Sequence, residues 1–375
     1  MIADFDALGF LSRPGGLDYV RRLARLRWKR RFPNRRAGEL SQTARAGDAF
    51  AGAHSWVVVS DETALPAPGA EVPMVPGRVL LASPLSPAAP PIVHTLRELE
   101  EMPGAAARTG LSPEEDIPAI AFRTSDFPPL DRETVGEYVR RLASPPLPRV
   151  FASGFCAVVF EDSLGGDRAD VTCRFPGGIR RLLDVGCGSG EAAASLCRSR
   201  PELAATGIER DPAAAARARE RLADVREGDA MTALARLAAA GERFDALLFA
   251  DVLEHFDDPI GVLELARELA MPEATLVASV PNVGHLSLVR DLVLGRFDPL
   301  PAGLADAGHL RWFTRTSLAE ALDEAGWKDV TIDPAAGAPA PGAEEFLRRT
   351  EAWAGADRES LTTYQWVAVA RRGSP

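Results

Sequence analysis

Cysteine is scarce: four in 375 residues, Cys156, Cys173, Cys187 and Cys197. None of their spacings suits a zinc site or a disulfide framework, so a cysteine-stapled secreted fold is excluded and a reduced cytoplasm is expected. No apolar run reaches the roughly eighteen residues a membrane span requires. The opening residues, Met1-Ile-Ala-Asp-Phe-Asp6, lack the basic and apolar regions of a secretory leader. Positive charge is not in excess either. The net charge of -10 argues against a nucleic-acid groove as the main partner. No histidine or acidic spacing typical of a metal site occurs, so no metal is expected. Internal repeats are absent as well.

What is present divides unevenly. Residues 1–175 hold 21 basic and 22 acidic side chains, whereas 176–375 hold 22 and 31. Three regions follow: a basic N-terminal segment over 1–40, a small loop-rich α/β domain over 41–175, and a larger α/β domain over 176–375. In the first, Arg21, Arg22, Arg25, Arg27, Lys29, Arg30, Arg31, Arg35 and Arg36 interleave with Val20, Leu23, Leu26 and Trp28 at helical spacing, and Pro33 stops the pattern. Such a helix either packs through its apolar stripe or makes peripheral contact with an anionic membrane or carrier lipid. In the second region Trp56–Val59, Val79–Ala82, Pro118–Phe122 and Ala157–Phe160 read as strands. Thr95–Met102 and Thr134–Leu142 read as helices. His54 and His94 stand alone there, which suits structural or exposed roles, and the region is assigned by elimination to acceptor recognition or partner docking. Gly165-Gly-Asp and Pro176-Gly-Gly bracket an expected linker.

The third region begins on Arg180-Arg-Leu-Leu-Asp-Val-Gly-Cys-Gly-Ser-Gly-Glu191. Leu182, Leu183 and Val185 make a buried strand, Gly186, Gly188 and Gly190 a tight turn, and Ala193, Leu196 and Cys197 the apolar face of a helix. Glycines are needed where a ligand approaches the backbone and where φ is positive. The spacing is G-x-G-x-G rather than the G-x-G-x-x-G of a dinucleotide site, which counts against a nicotinamide-dependent oxidoreductase. Asp184, just before the first glycine, suits an ammonium group and disfavours a phosphate. The next strand ends at Glu209, 19 positions after Gly190, placed for ribose hydroxyls. Phe244–Ala250 reads as a buried strand running into Asp251-Val-Leu-Glu-His255, and strand ends in an open parallel sheet line the ligand crevice. Asp211-Pro212 and Asp258-Pro259 are helix starts. A short strand and turn over Val225–Ala230, with Thr275–Val280, Val330–Ile332 and Tyr364–Ala370, complete seven strands. Residues 286–313 read as a long insertion before a helix capped by Thr314 or Thr316. Within and after it, Gly308-His-Leu-Arg-Trp-Phe-Thr314 offers His309 as a base, Arg311 for an anionic group and Trp312 as an aromatic platform, or else a loop anchored by its aromatics.

These segments together resemble the class I S-adenosylmethionine-dependent methyltransferases over about residues 178–333 and the closing strand. The resemblance implies a Rossmann-like seven-stranded sheet with an antiparallel final hairpin and S-adenosyl-L-methionine as cofactor. It implies that Asp184, Gly186, Gly188 and Gly190 hold the amino-acid end, Glu209 the ribose, Asp229 with Ala230 the adenine, and that Asp251 lines the pocket. Asp229 beside Gly228 is also a plain turn residue. His255, in a segment close to that of related methyltransferases, is a base or a loop-ordering histidine. Pro281-Asn-Val-Gly-His285 and the His309–Thr314 segment look like those of bacterial methyltransferases of cell-surface polysaccharide. The expectation is therefore metal-free O-methylation of a saccharide or glycoconjugate hydroxyl by His255 or His309. A quinone-type or other small metabolite, and a non-catalytic cofactor-binding scaffold in glycan assembly, are the alternatives. Oligomeric state is left open.

Overall fold

A computed structural model describes residues 167–300, 303–335, 344–354 and 357–373. N-terminal to these it describes 7–12, 28, 36–41, 46, 56–61, 65–66, 79–85, 119–123, 126, 129–143 and 149–158. Of the basic segment Arg21 to Arg36 only Trp28 and Arg36 are among them; the Thr95–Met102 helix, His54 and His94 lie outside. Two compact units form, Met1–Glu161 with Asp298–Ala302, and Asp162–Phe297 with Gly303–Pro375.

In the first unit, strands β1 (Ala7–Ser12), β2 (Arg36–Ser41), β3 (Trp56–Asp61), β4 (Leu65–Pro66), β5 (Val79–Leu85), β6 (Ala119–Arg123) and β7 (Arg149–Val158) make one mixed sheet. Their order is β2-β1-β3-β6-β5-β7-β4. Helix α1 (Val135–Ala143) starts with a reciprocal cap: the Thr134 amide donates to Glu137 Oε2 at 2.9 Å and the Glu137 amide to Thr134 Oγ1 at 3.3 Å. Its Tyr138 meets Phe122 of β6 edge to face at 5.5 Å. Strand β7 starts well before the apolar run at Ala157, because pairing of Arg149–Phe151 with β5, not hydrophobicity, sets its beginning.

The second unit is built on β8 (Arg181–Val185), β9 (Ala204–Glu209), β10 (Asp224–Glu227), β11 (Phe244–Ala250), β12 (Ala270–Pro281), β13 (Lys328–Pro334) and β14 (Gln365–Arg371). The order is β10-β9-β8-β11-β12-β14-β13, with β14 antiparallel to both neighbours and the other pairs parallel. This is the expected Rossmann-like seven-stranded sheet. Alternation of side chains covers both faces. Leu183, Val185, Leu247 and Phe249 pack into one buried cluster, while Leu182, Ala246 and Leu248 pack into another. The chain reverses direction across the sheet between β8 and β11, the place where open α/β sheets leave a crevice at their carboxyl ends.

Nine α-helices among the described residues flank the sheet: α2 (Ala169–Thr172), α3 (Glu191–Ser199), α4 (Pro212–Arg219), α5 (Ala230–Ala239), α6 (Pro259–Leu269), α7 (Leu286–Val293), α8 (Arg315–Glu324), α9 (Glu344–Ala354) and α10 (Arg358–Thr362). Their starts follow local chemistry. Asp211 accepts from the Ala214 amide at 2.7 Å, Asp258 from Gly261 at 3.0 Å, and Thr314 exchanges bonds with Ser317 in a capping box. Two expectations change here. The bracketed linker contains α2, and its Val171 and the following Phe175 are buried against α3 and β8 residues of the second unit. The stretch 286–313 is not one irregular insertion but opens with α7, whose Leu286 and Leu288 are buried.

Candidate functional site

Three chain segments meet at the carboxyl end of β8. The glycine turn folds back on β9, with the Gly186 and Cys187 amides donating to the Ile208 carbonyl at 2.8 and 3.0 Å. Gly186, Gly188 and Gly190 all have positive φ, at 74°, 54° and 78°. At Gly186 the need is also steric: a Cβ there would lie 2.4 Å from Val252 Cγ2. The residue after Asp251 thus sits directly on the first glycine.

Beside this turn stand two buried carboxylates. Glu209 is fixed by backbone donors, accepting from Gly188 at 2.9 Å through Oε2 and from Asp211 at 2.8 Å through Oε1. Each oxygen keeps further acceptor capacity. Asp184 is 1% exposed, and its Oδ2 has no hydrogen-bond partner among the described residues. Burial, with Glu209 adding repulsion, pushes its carboxyl up to about 7. A buried, unpartnered acid beside a glycine turn fits a ligand that brings a cation, which is the test a sulfonium-bearing amino acid must meet. Asp229 caps α5, accepting from the Thr232 amide at 2.9 Å, and Ala230 is buried at its first position.

Asp251 follows β11 with φ of 52° and joins a network that local sequence patterns did not reveal. Ser279 Oγ donates to its Oδ1 at 2.9 Å, Gln365 Nε2 donates to the same oxygen, and Arg168 pairs with Oδ2. Arg168 Nη2 also donates to Gln365 Oε1 at 2.9 Å. Burial raises the Asp251 carboxyl, with Arg168 opposing. Arg168, Ser279 and Gln365 come from the residue before α2, from β12 and from β14.

A second cluster lies on the 3₁₀ turn Leu253–His255 and the loop before α8. The Glu254 carbonyl accepts from the Leu310 and Arg311 amides at 2.8 and 3.0 Å, binding the two loops together. His255 Nδ1 lies 3.1 Å from the Gly308 carbonyl oxygen. Because a carbonyl only accepts, Nδ1 carries a proton, and in the neutral ring the lone pair is then on Nε2. The His255 and His309 rings are 5.0 Å apart, and His309 meets Trp312 at 5.4 Å. Glu254 and His309 are nearly sealed, and Glu254 Oε2 and His309 Nδ1 have no hydrogen-bond partner among the described residues. Burial raises the Glu254 carboxyl, with Asp251 adding to it; burial, then His255, lowers His309 to about 4. Ligand atoms of Glu254, His255 and His309 all lie within 4.8 Å of one another, a carboxylate and two imidazoles that suit a divalent cation. Sequence spacing gave no sign of this set because His309 is 54 positions from His255. Trp312 and Phe297 meet edge to face at 5.4 Å and remain partly exposed, while Phe313 is buried. Arg311, offered by the sequence as an anion ligand, instead donates to the Asp257 carbonyl.

Comparison with known proteins follows the same outline. A family model described as a methyltransferase domain matches residues 135–332, more than half of the chain. The ubiquinone biosynthesis O-methyltransferase of Dinoroseobacter shibae is 31% identical over 156 residues, 40% of this chain and 60% of that protein. That of Cereibacter sphaeroides strain KD131 is 34% identical over 128 residues, 33% of this chain and 50% of that one. The chain thus spans about half to three-fifths of the length of these curated relatives. Among solved structures, a SAM-dependent methyltransferase from Archaeoglobus fulgidus aligns with a TM-score of 0.41 at 20% identity, over 54% of this chain and 91% of that one. Human N-acetylserotonin methyltransferase in complex with SAM aligns at 0.36 and 17%, over 55% and 51%.

Proposed function

The chain belongs to the methyltransferase-domain family and carries a class I S-adenosylmethionine-dependent domain; from that premise we propose that it O-methylates a small quinone-type phenol. The name shared by the relatives above favours this acceptor over the saccharide hydroxyl expected from the sequence. The observation that carries the proposal is the cluster of Glu254, His255 and His309, bounded by the aromatic pair Trp312 and Phe297.

The cofactor would supply an electrophilic methyl on sulfur; the chain has to bind, orient and manage one proton. Asp184 and the glycine turn hold the amino-acid end, Glu209 the ribose, and Asp229 with Ala230 border the adenine. His255 Nε2 accepts the phenol proton, while the Nδ1 bond to Gly308 fixes the ring. Trp312 and Phe297 supply an apolar wall that an aromatic acceptor fills better than a sugar does. A second reading follows from the ligand geometry: Glu254, His255 and His309 would hold a divalent cation, which would supply Lewis acidity toward the acceptor's hydroxyl, and His309, neutral at physiological pH, would be free to ligate.

Radiolabelled S-adenosylmethionine offered with catechols, hydroquinones, sugar nucleotides and lipid-linked sugars tests the acceptor. Transfer to the phenols is the expected result; transfer to sugars alone would overturn it, and cofactor binding without any transfer would favour the scaffold. Repeating the phenol assay after chelation separates the two proton-handling readings. Rates that fall and return with added divalent cation support the cation, and indifference to chelation supports the base.

A further inference from the structure

We propose that Gln365, on the last strand of the sheet, is a positioning residue for the amino-acid end of the cofactor crevice. It acts by holding Arg168 and Asp251 as one unit. The inference rests on the cofactor reading above but not on the identity of the acceptor.

Gln365 is 8% exposed, and both ends of its amide are engaged. Its Oε1 accepts from Arg168 Nη2 at 2.9 Å and its Nε2 donates to Asp251 Oδ1. Only a side chain that both donates and accepts can join a guanidinium and a carboxylate in this way. A glutamate would set a second negative charge against Asp251, and an apolar residue would leave two charged groups short of partners. The backbones that carry the pair are held away from ordinary conformations. Arg168 has φ of 43° and Asp251 φ of 52°, in the left-handed region that is unfavourable for a residue with a Cβ. Such conformations persist where surrounding bonds determine them. Here those bonds come from Gln365, from Ser279 Oγ, which donates to Asp251 at 2.9 Å, and from Asp170, which pairs with Arg168 at 3.2 Å.

Location gives the network its purpose. Asp251 immediately precedes Val252, the side chain seated on Gly186. Leu248 of β11 pairs with Asp184 of β8, so Asp251, three residues on, lies at the carboxyl ends of the two strands that border the crevice. A free amino-acid end carries one charge of each sign; with Asp184 left for the ammonium, Arg168, held through Asp251 and Gln365, is the positive group for the carboxylate. Gln365 keeps the two charges at fixed separation, so less ordering is left to occur on binding.

The test is calorimetric titration of the full-length chain with S-adenosylmethionine in the absence of acceptor, comparing wild type, Gln365→Met and Ser279→Ala. Methionine matches glutamine in volume but joins neither partner. Its dissociation constant is expected to rise about tenfold, equivalent to ~1.4 kcal/mol, and that of Ser279→Ala to rise by less. Turnover at saturating cofactor should move far less than the cofactor KM, a split that a merely structural role would not produce. Thermal unfolding run in parallel confirms that the variants fold. A folded Gln365→Met protein that binds as wild type does, or loses turnover with its cofactor affinity intact, overturns the inference alone. Wild-type protein that does not bind the cofactor overturns the proposed function with it.

Discussion

Alanine at Gly186 is expected to abolish cofactor binding in the micromolar range and to destabilise the fold by roughly 2–5 kcal/mol. Two costs add. The backbone φ of 74° is unfavourable for any residue with a Cβ, at about 1–2 kcal/mol. The new methyl would also lie 2.4 Å from Val252 Cγ2 and 2.9 Å from Val252 Cβ, and a β-branched side chain has little freedom to turn aside. Overpacking of this kind costs about 1–3 kcal/mol. The displacement does not stop at Val252, because Leu253–His255 follows it as a 3₁₀ turn carrying Glu254 and His255. Cofactor affinity and turnover should therefore fall together. Gly178→Ala serves as the control: φ is 84° there, but a Cβ meets nothing within 4 Å. It should show only the conformational cost. Adding Val252→Ala to Gly186→Ala should restore part of the stability, and a double-mutant cycle measures how much. Full additivity of the two changes would mean that contact with Val252 is not what requires the glycine.

That contact shows where sequence reading reaches and where it stops. The need for glycine at 186 was legible from the turn between a buried strand and a helix; the identity of the crowding partner was not, because Val252 comes from the segment after a different strand. The same division runs through the molecule. Asp211, Asp258 and Thr314 cap helices because their side chains bond amides two or three residues on, an interaction wholly local in sequence. Phe244–Ala250 forms a strand over the bounds its apolar run suggests, since the central strand of a parallel sheet is buried on both faces. By contrast, α7 was hidden in the stretch before Phe313, where Pro281, Gly284 and Gly295 dominate the local pattern. Arg168, Ser279 and Gln365 converge on Asp251 only after β11, β12 and β14 are laid side by side. The saccharide expectation drew on the likeness of the Pro281–His285 and His309–Thr314 segments to those of polysaccharide methyltransferases; within the second, the Arg311 guanidinium, offered for an anionic group, is engaged by backbone carbonyls of Leu310 and Asp257. Local chemistry was legible, and tertiary convergence was not.

Asp184→Asn is expected to move stability and cofactor affinity in opposite directions. The carboxyl of Asp184 is raised from an ordinary value to about 7 by burial and by Glu209. The folded state thus binds this proton more tightly than the unfolded chain does. Linkage then requires that Asp184 cost the free protein stability as pH rises from about 4 through 7, and cost nothing below that window. Three pKa units correspond to a ceiling of ~4 kcal/mol. An unpaired buried amide in the variant returns roughly 1–3 kcal/mol of that. Without cofactor, the variant should therefore gain on wild type in denaturant titrations as pH is raised from 5 to 8. Binding should respond the other way. An ammonium placed against Asp184 favours its charged form, so wild-type affinity should weaken below pH 7, by at most about tenfold per unit. Asparagine removes that attraction, leaving a weaker dissociation constant whose dependence on pH through 7 is flattened. A variant that lost stability and affinity together at every pH would mark Asp184 as a packing residue. Opposite signs, with the pH dependence carried by this one carboxyl, would mean that the fold keeps a destabilising acid for the sake of its ligand.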